Sequence, residues 1–261
     1  MAEIQYVFLI IIGLLIGSFL NVCIYRIPLK LSIVFPRSFC TKCKRQIRGY
    51  ENIPLFSFIF LKGRCAGCRS KISWRYPAVE LLTSLIIVYA YYRFGNSWSF
   101  LFTAIFACFM IVIAFIDLQY QLIFDRMTYP LAVIGIVSSF FIKEMNLIKS
   151  IIGLIVGGGL LFLVAFLAEK FYKMEAMGFG DINLMAASGT FLGGWNVLLS
   201  IIIASFIGAF AGVLLILFGV KKGLKEAIPF GPFLAAGNLV VIFWGEKIMN
   251  LINLYSSFGA A

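Results

Sequence analysis

The sequence predicts an all-α polytopic membrane protein of about eight transmembrane helices, with a small polar insert between the first two. Three observations predict it. Of 261 residues, 62% are hydrophobic and 13% are charged, where a soluble domain carries about 25% charged residues. The apolar residues fall into long runs, and roughly 20 such residues suffice to cross a bilayer. The basic residues are concentrated: 12 of the 22 Lys and Arg lie between Arg26 and Arg75, a stretch whose only acid is Glu51.

The apolar runs cover 4–25, 77–94, 98–117, 127–143, 147–171, 182–194, 197–220 and 231–254. The sixth is short and carries Gly189, Gly193 and Gly194, so the count is eight, or seven if that segment does not cross. The first run follows Met1–Gln5 without a basic leader or a small-residue cleavage site and reads as a retained span. Positive residues mark the cytoplasmic side, which puts 26–76 inside and the N-terminus outside. Alternation then puts 117–127, Lys170–Asp181 and Lys221–Glu226 inside as well, leaving Arg93, Lys143, Lys149 and Lys247 as minor exceptions. The chain divides on this reading into a first helix (1–27), a cytoplasmic insert (28–75) and a membrane domain (76–261). A basic loop is expected of any membrane protein with this topology, so no nucleic acid is expected as partner. Gly157, Gly158 and Gly159 in the fifth run would let a neighbouring helix approach closely.

The insert reads C-T-K-C at 40–43 and C-A-G-C at 65–68. Each CxxC offers two thiolates from one tight turn, and two such turns facing each other close a tetrahedral Cys₄ site with no open position. Cys40, Cys43, Cys65 and Cys68 are therefore expected to hold a structural Zn²⁺; an iron–sulfur cluster is the other centre this set can hold. A cytoplasmic address disfavours disulfides. Cys23 and Cys108 fall inside apolar runs and read as packing residues.

Histidine is absent from the chain, which excludes Ser-His-Asp and Cys-His catalysis and any His-ligated metal. Acid–base chemistry would then lean on carboxylates or on shifted Lys, Tyr or Cys. Asp117 ends the third run in I-D-L-Q-Y-Q-L-I-F-D, and Asp181 opens the sixth after M-G-F-G. Both lie where an apolar run meets the same side of the membrane. Polar residues at that depth are costly and often functional, and a close pair of carboxylates can share a proton and supply both a base and an acid. Spacing alone leaves two readings of M-G-F-G-D. One is a catalytic carboxylate, with Gly178 and Gly180 giving room for a substrate backbone. The other is a loop whose Asp caps the following helix. Asp125 reads as a partner of Arg126 or a cap of the fourth run.

These motifs together resemble the prepilin peptidases, or type IV leader peptidases, bacterial inner-membrane aspartyl proteases of the GxGD class. G-S-F-L-N-V-C-I-Y-R-I-P (17–28), the two CxxC pairs, E-N-I-P-L (51–55), G-R-C (63–65), R-Y-P-A-V-E (75–80), the Asp117 segment, M-G-F-G-D and I-P-F-G-P-F-L (228–234) follow the family's order. The chain departs from it at Phe124, where relatives often carry Pro. The resemblance implies that Asp117 and Asp181 form the catalytic dyad. It also implies removal of a basic leader from prepilin or pseudopilin substrates, after a glycine, at the cytoplasmic face. It implies methylation of the new N-terminal amine with S-adenosylmethionine as donor, an activity associated with the four-cysteine form. Gly63 falls at a position linked to methyl transfer, with Arg64 beside it and Glu51 in a neighbouring landmark. Glu51, Glu80, Asp125 or Glu175 are candidates to meet the leader's positive charge. The readings that compete with an enzyme are a transporter using buried acids and an assembly scaffold docking through the zinc loop.

Overall fold

The computed structural model describes residues 2–173, 177–218 and 228–258; Glu175 and Lys221–Glu226 lie outside them. Among the described residues the fold is helical, with no strand beyond two isolated bridges. Helix α1 spans Ala2–Arg26, α2 Phe56–Phe60, α3 Arg75–Phe94, α4 Trp98–Tyr120, α5 Asp125–Ser138, α6 Leu147–Tyr172, α7 Phe179–Leu192, α8 Gly194–Leu217 and α9 Gly231–Phe258. Each of the eight apolar runs thus becomes a helix. Five of them, α1, α4, α6, α8 and α9, are long and apolar enough to cross a membrane. Helices α5 and α7, of 14 residues each, are too short by that measure, and α3, of 20 residues, is not apolar enough. Half-exposed Ile151, Ile155, Phe162 and Phe166 on α6 and exposed Phe206, Phe210 and Val213 on α8 form an apolar surface of the kind that faces lipid.

The chain forms two compact units, Met1–Phe100 and Leu101–Ala261. In the first, α1 lies against α3 because α1 presents glycines to it. A Cβ on Gly13 would stand 2.5 Å from Ser84 Cα and one on Gly17 2.6 Å from Glu80 Cα, so only glycine permits this approach. Ser84 Oγ then donates to Ile10 O at 3.1 Å across the pair. The insert between these helices carries the four cysteines and the short helix α2.

In the second unit α7 is the central element, packed by α5, α6, α8 and α9 and buried along most of its length. Its closest neighbour is α6. Gly153 and Gly189 meet backbone to backbone, and Gly157 faces the carbonyl of Met185. Of the three consecutive glycines on α6, Gly157 and Gly158 serve this contact, whereas Gly159 faces open space. A polar knot pins the interior: Asn238 on α9 is fully buried, accepts from Ser200 Oγ at 2.6 Å and donates to Ser188 Oγ at 2.9 Å. Phe106 on α4 packs on Phe191 of α7 with ring centroids 4.8 Å apart.

Candidate active site and metal centre

The metal centre builds from two knuckles with the same wiring. In the first, Cys40 N donates to Arg45 O at 2.9 Å and Lys44 N to Cys40 O at 2.9 Å; in the second, Cys65 N donates to Ser70 O at 2.9 Å and Arg69 N to Cys65 O at 3.0 Å. Lys44 and Arg69, each one residue past the second cysteine of its pair, both adopt φ of 59°. Single bridges close the two turns, Phe39 to Gln46 and Arg64 to Lys71. The four Sγ atoms all lie within 4.8 Å of one another, and Cys40 Sγ is 3.9 Å from Cys68 Sγ. Tetrahedral Zn–S bonds of about 2.3 Å place sulfurs about 3.8 Å apart, so the donor set and its spacing fit a Cys₄ zinc. The backbone of Cys43, bonding to the Cys40 thiol, lowers that group to about 6, toward the thiolate a metal needs.

Arg45 braces this cluster. Its Nη2 donates to both carboxylate oxygens of Glu51, at 2.8 and 2.7 Å, while its Nε would meet a Cβ on Gly67 at 3.0 Å, so the guanidinium lies over the second knuckle. Glu51 Oε2 also accepts from Arg48 N at 3.0 Å, as part of a capping box on the 3-10 turn Gly49–Asn52. The Arg45 hydrogen bond holds the Glu51 carboxyl below its ordinary range. Gly63 takes φ of 65° and Arg64 is exposed; a Cβ on Gly63 would lie 3.1 Å from Phe58 Cζ.

The carboxylates assemble in the second unit. Asp117 sits near the end of α4 and is 5% exposed. Helix α4 stops after Tyr120 because Gln121 turns left-handed at φ 52° while its N–H still reaches Asp117 O at 2.9 Å. The chain then doubles back through Leu122–Phe124 into α5. Asp181 lies at the third position of α7, with Gly178 as the residue before the helix, and its N–H donates to Gly178 O at 3.1 Å. It is therefore not the capping residue that spacing left open, although a carboxylate in the first turn does complement the helix dipole. Asp117 and Asp181 lie within electrostatic reach of each other, so two acids far apart in sequence converge.

Two glycines make the convergence fit. A Cβ on Gly180 would meet Ile123 Cβ at 2.8 Å, and one on Gly231 would meet Asp117 Oδ2 at 2.7 Å. Gly180 is thus packed against the loop after α4. Gly178 is exposed, with only the Asp181 carboxylate and the Gly180 amide within 4 Å of a Cβ there. Gly231 opens α9, and its N–H donates to Asp117 Oδ2 at 2.9 Å. Gly231 lies within I-P-F-G-P-F-L, whose Gly-Pro pair at the start of an apolar run is the one local sign of this contact. Asp125 begins α5 and is exposed; its Oδ1 accepts from Asn183 Nδ2 at 2.8 Å, a partner that neither Arg126 nor a cap had suggested.

Residues 11–94 match the family model described as the bacterial peptidase A24 N-terminal domain, and residues 104–213 match that of the type IV leader peptidase family. A prepilin leader peptidase/N-methyltransferase of Stutzerimonas stutzeri is 34% identical to the chain, covering 92% of it and 90% of the relative. One from Pseudomonas aeruginosa is 32% identical over 95% and 93%, and one from Legionella pneumophila 35% over 94% and 93%. No solved structure matches the chain significantly.

Proposed function

The chain belongs to the type IV leader peptidase family of membrane peptidases, and from that premise we propose that it removes the basic leader from type IV prepilin-like proteins, cutting after glycine at the cytoplasmic face with Asp117 and Asp181. The observation that carries this reading is the convergence of those two carboxylates from separate helices in a chain without histidine. One carboxylate, ionised, takes a proton from water as the water attacks the scissile carbonyl. The other, protonated, hydrogen-bonds the carbonyl oxygen and later gives its proton to the leaving amine. The Gly231 amide, donating to Asp117, holds that carboxylate in one orientation. The exposed backbone at Gly178 is where an extended substrate strand approaches, and Asp125 beside Asn183 is placed to meet a basic leader.

On this reading the eight helices that arise from the apolar runs all enter the bacterial inner membrane, α5 and α7 as short segments, with the N-terminus outside and the insert inside. Residues 1–27 form the first helix, 28–75 the zinc module and 76–261 the protease domain. Cys40, Cys43, Cys65 and Cys68 would hold a Zn²⁺ whose contribution is a cross-link between the knuckles. The second activity is N-methylation of the trimmed substrate with S-adenosylmethionine, for which Glu51, Gly63 and Arg64 in the zinc module are the candidate residues.

The test is incubation of the purified protein with a prepilin peptide and S-adenosylmethionine, read by mass spectrometry. Loss of the leader and a methyl gain on the product are expected. Cleavage at the normal rate by Asp117→Ala or Asp181→Ala would remove the dyad from the mechanism.

A further inference from the structure

The polar knot inside the second unit stands in a fixed relation to the candidate active site. Asn238 on α9 accepts from Ser200 Oγ of α8 at 2.6 Å and donates to Ser188 Oγ of α7 at 2.9 Å. Its Nδ2 also faces the sulfurs of Met110 on α4, at 3.5 Å, and Met185 on α7, at 3.7 Å. Thioether sulfurs accept only, which fixes this end of the amide as the NH₂. All five residues are fully buried. Met110 lies seven residues before Asp117, Ser188 seven after Asp181 and Asn238 seven after Gly231. Seven residues are close to two helical turns, so each of these three shares a helix face with its counterpart in the site, about 10 Å away along the helix.

We propose that this layer is a register lock for the dyad, with Asn238 as a positioning residue for leader cleavage. The proposal rests on the reading of Asp117 and Asp181 given above and adds what holds their helices in step. Asp117 receives the Gly231 amide at 2.9 Å. That N–H lies in the first turn of α9, where no intrahelical carbonyl can take it, so the bond depends on where α9 stands along α4. A slip of one residue moves a helix about 1.5 Å along its axis, which breaks a hydrogen bond of that length.

Apolar contacts tolerate such a slip better than directional bonds do, and one buried Asn suffices to set helix register in a coiled coil. Here a single amide side chain reaches three other helices. Gly237 makes the reach possible: a Cβ there would stand 2.6 Å from Ser200 O, so α9 runs hard against α8 beside Asn238. The three helices that bring Asp117, Asp181 and Gly231 together are therefore tied twice, once at the site and once two turns away. A leucine of similar size would fill the same volume without the cost of burying an amide, so packing does not by itself account for Asn238.

Leader cleavage is measured on the full-length protein in detergent, for wild type, Asn238→Leu, Gly231→Ala and the double variant, with Asp117→Asn alongside. Asn238→Leu is expected to lower kcat about tenfold, the size of one lost hydrogen bond to a catalytic group, while KM stays within about twofold. On the Gly231→Ala background, where that bond is already disturbed, the same substitution should cost no more than about twofold, because both changes act on one contact. A purely structural role predicts the full loss on both backgrounds. That result, an unchanged kcat or a defect confined to KM would overturn the proposal. Should Asn238→Leu lose its cooperative melting transition, Ser188→Ala takes its place in the same cycle, with about a threefold loss expected on the wild-type background alone and equal losses on both overturning the proposal. Asp117→Asn that cleaves as fast as wild type would sink the dyad reading and this proposal with it. An inactive Asp117→Asn beside a silent Asn238→Leu would sink the proposal alone.

Discussion

The two units hold their chemistry in opposite ways. In the first, four thiols come from two copies of one local turn, and each turn is complete within about six residues, hydrogen bonds included. In the second, each group arrives on a different helix: Asp117 on α4, Asp181 on α7 and the Gly231 amide on α9. Soft donors in a short hydrophilic loop have no core to position them, so the wiring must be local, and a metal held by the four thiols would finish the job. Carboxylates on a packed bundle need no local device, because the close-packed helices set their separation. One site should therefore fail by losing its metal and the other by losing its geometry.

The largest effect is expected at the carboxylates. Asp117→Asn and Asp181→Asn are nearly isosteric and should leave the bundle folded, yet each would remove a proton carrier of the proposed dyad. Leader cleavage should fall by at least about a hundredfold, the lower end of what general acid–base groups supply, while zinc content stays at one per chain. Cleavage kinetics and metal analysis on the same preparation check this. If either variant also loses zinc, the two sites are not separable and the comparison fails.

The converse comes next. Cys40→Ser or Cys65→Ser should drop the zinc content to near zero. The insert should then open, since structural zinc sites contribute on the order of 10 kcal/mol to folding. Limited proteolysis should cut between 28 and 75 in the variant and not in the wild type.

How far each site was legible in the sequence follows the same division. The CxxC pairs announced the four-cysteine cluster because its donors are local. The eight apolar runs announced the helices, and Asp117 and Asp181 stood out as acids beside apolar runs. What joins these groups was not legible. The Gly231–Asp117 bond spans 114 residues, and the Asn183–Asp125 bond 58; such pairs are created by packing and leave no spacing in the chain. The compact first unit runs from Met1 to Phe100 and so takes in α3 with the insert. Gly13 and Gly17 draw α3 onto α1, and two glycines in an apolar run do not declare which helix they admit.

A smaller effect sharpens the geometric half of the comparison. Gly231→Ala puts a methyl group 2.7 Å from Asp117 Oδ2, so either the carboxylate or α9 must shift. The hydrogen bond lost or bent is worth about 1 kcal/mol to a neutral carboxyl and about 1.5–3 kcal/mol to a carboxylate, or roughly five- to a hundredfold in kcat/KM. KM should change little if, as proposed, the residue orients a catalytic group rather than the substrate. A defect confined to KM would argue that Gly231 contacts substrate instead.

The smallest effect tests whether the metal module has any support besides metal. Glu51 is held below its ordinary carboxyl range by the Arg45 hydrogen bond. A depressed acid stabilises the fold fully above its unfolded value, about 4.3, and loses that contribution as the pH falls through the folded value, because the unfolded chain takes up its proton first. Glu51→Gln keeps the shape but removes the charge, so it should lower the melting temperature of the insert at neutral pH. The gap to wild type should then close as the buffer is taken below about pH 4.3. Acid also strips zinc by protonating the thiols, which lowers both proteins together, so the difference between them is the informative quantity. A gap that stays constant with pH would mean that Glu51 supports the module by packing and hydrogen-bond shape rather than by its charge.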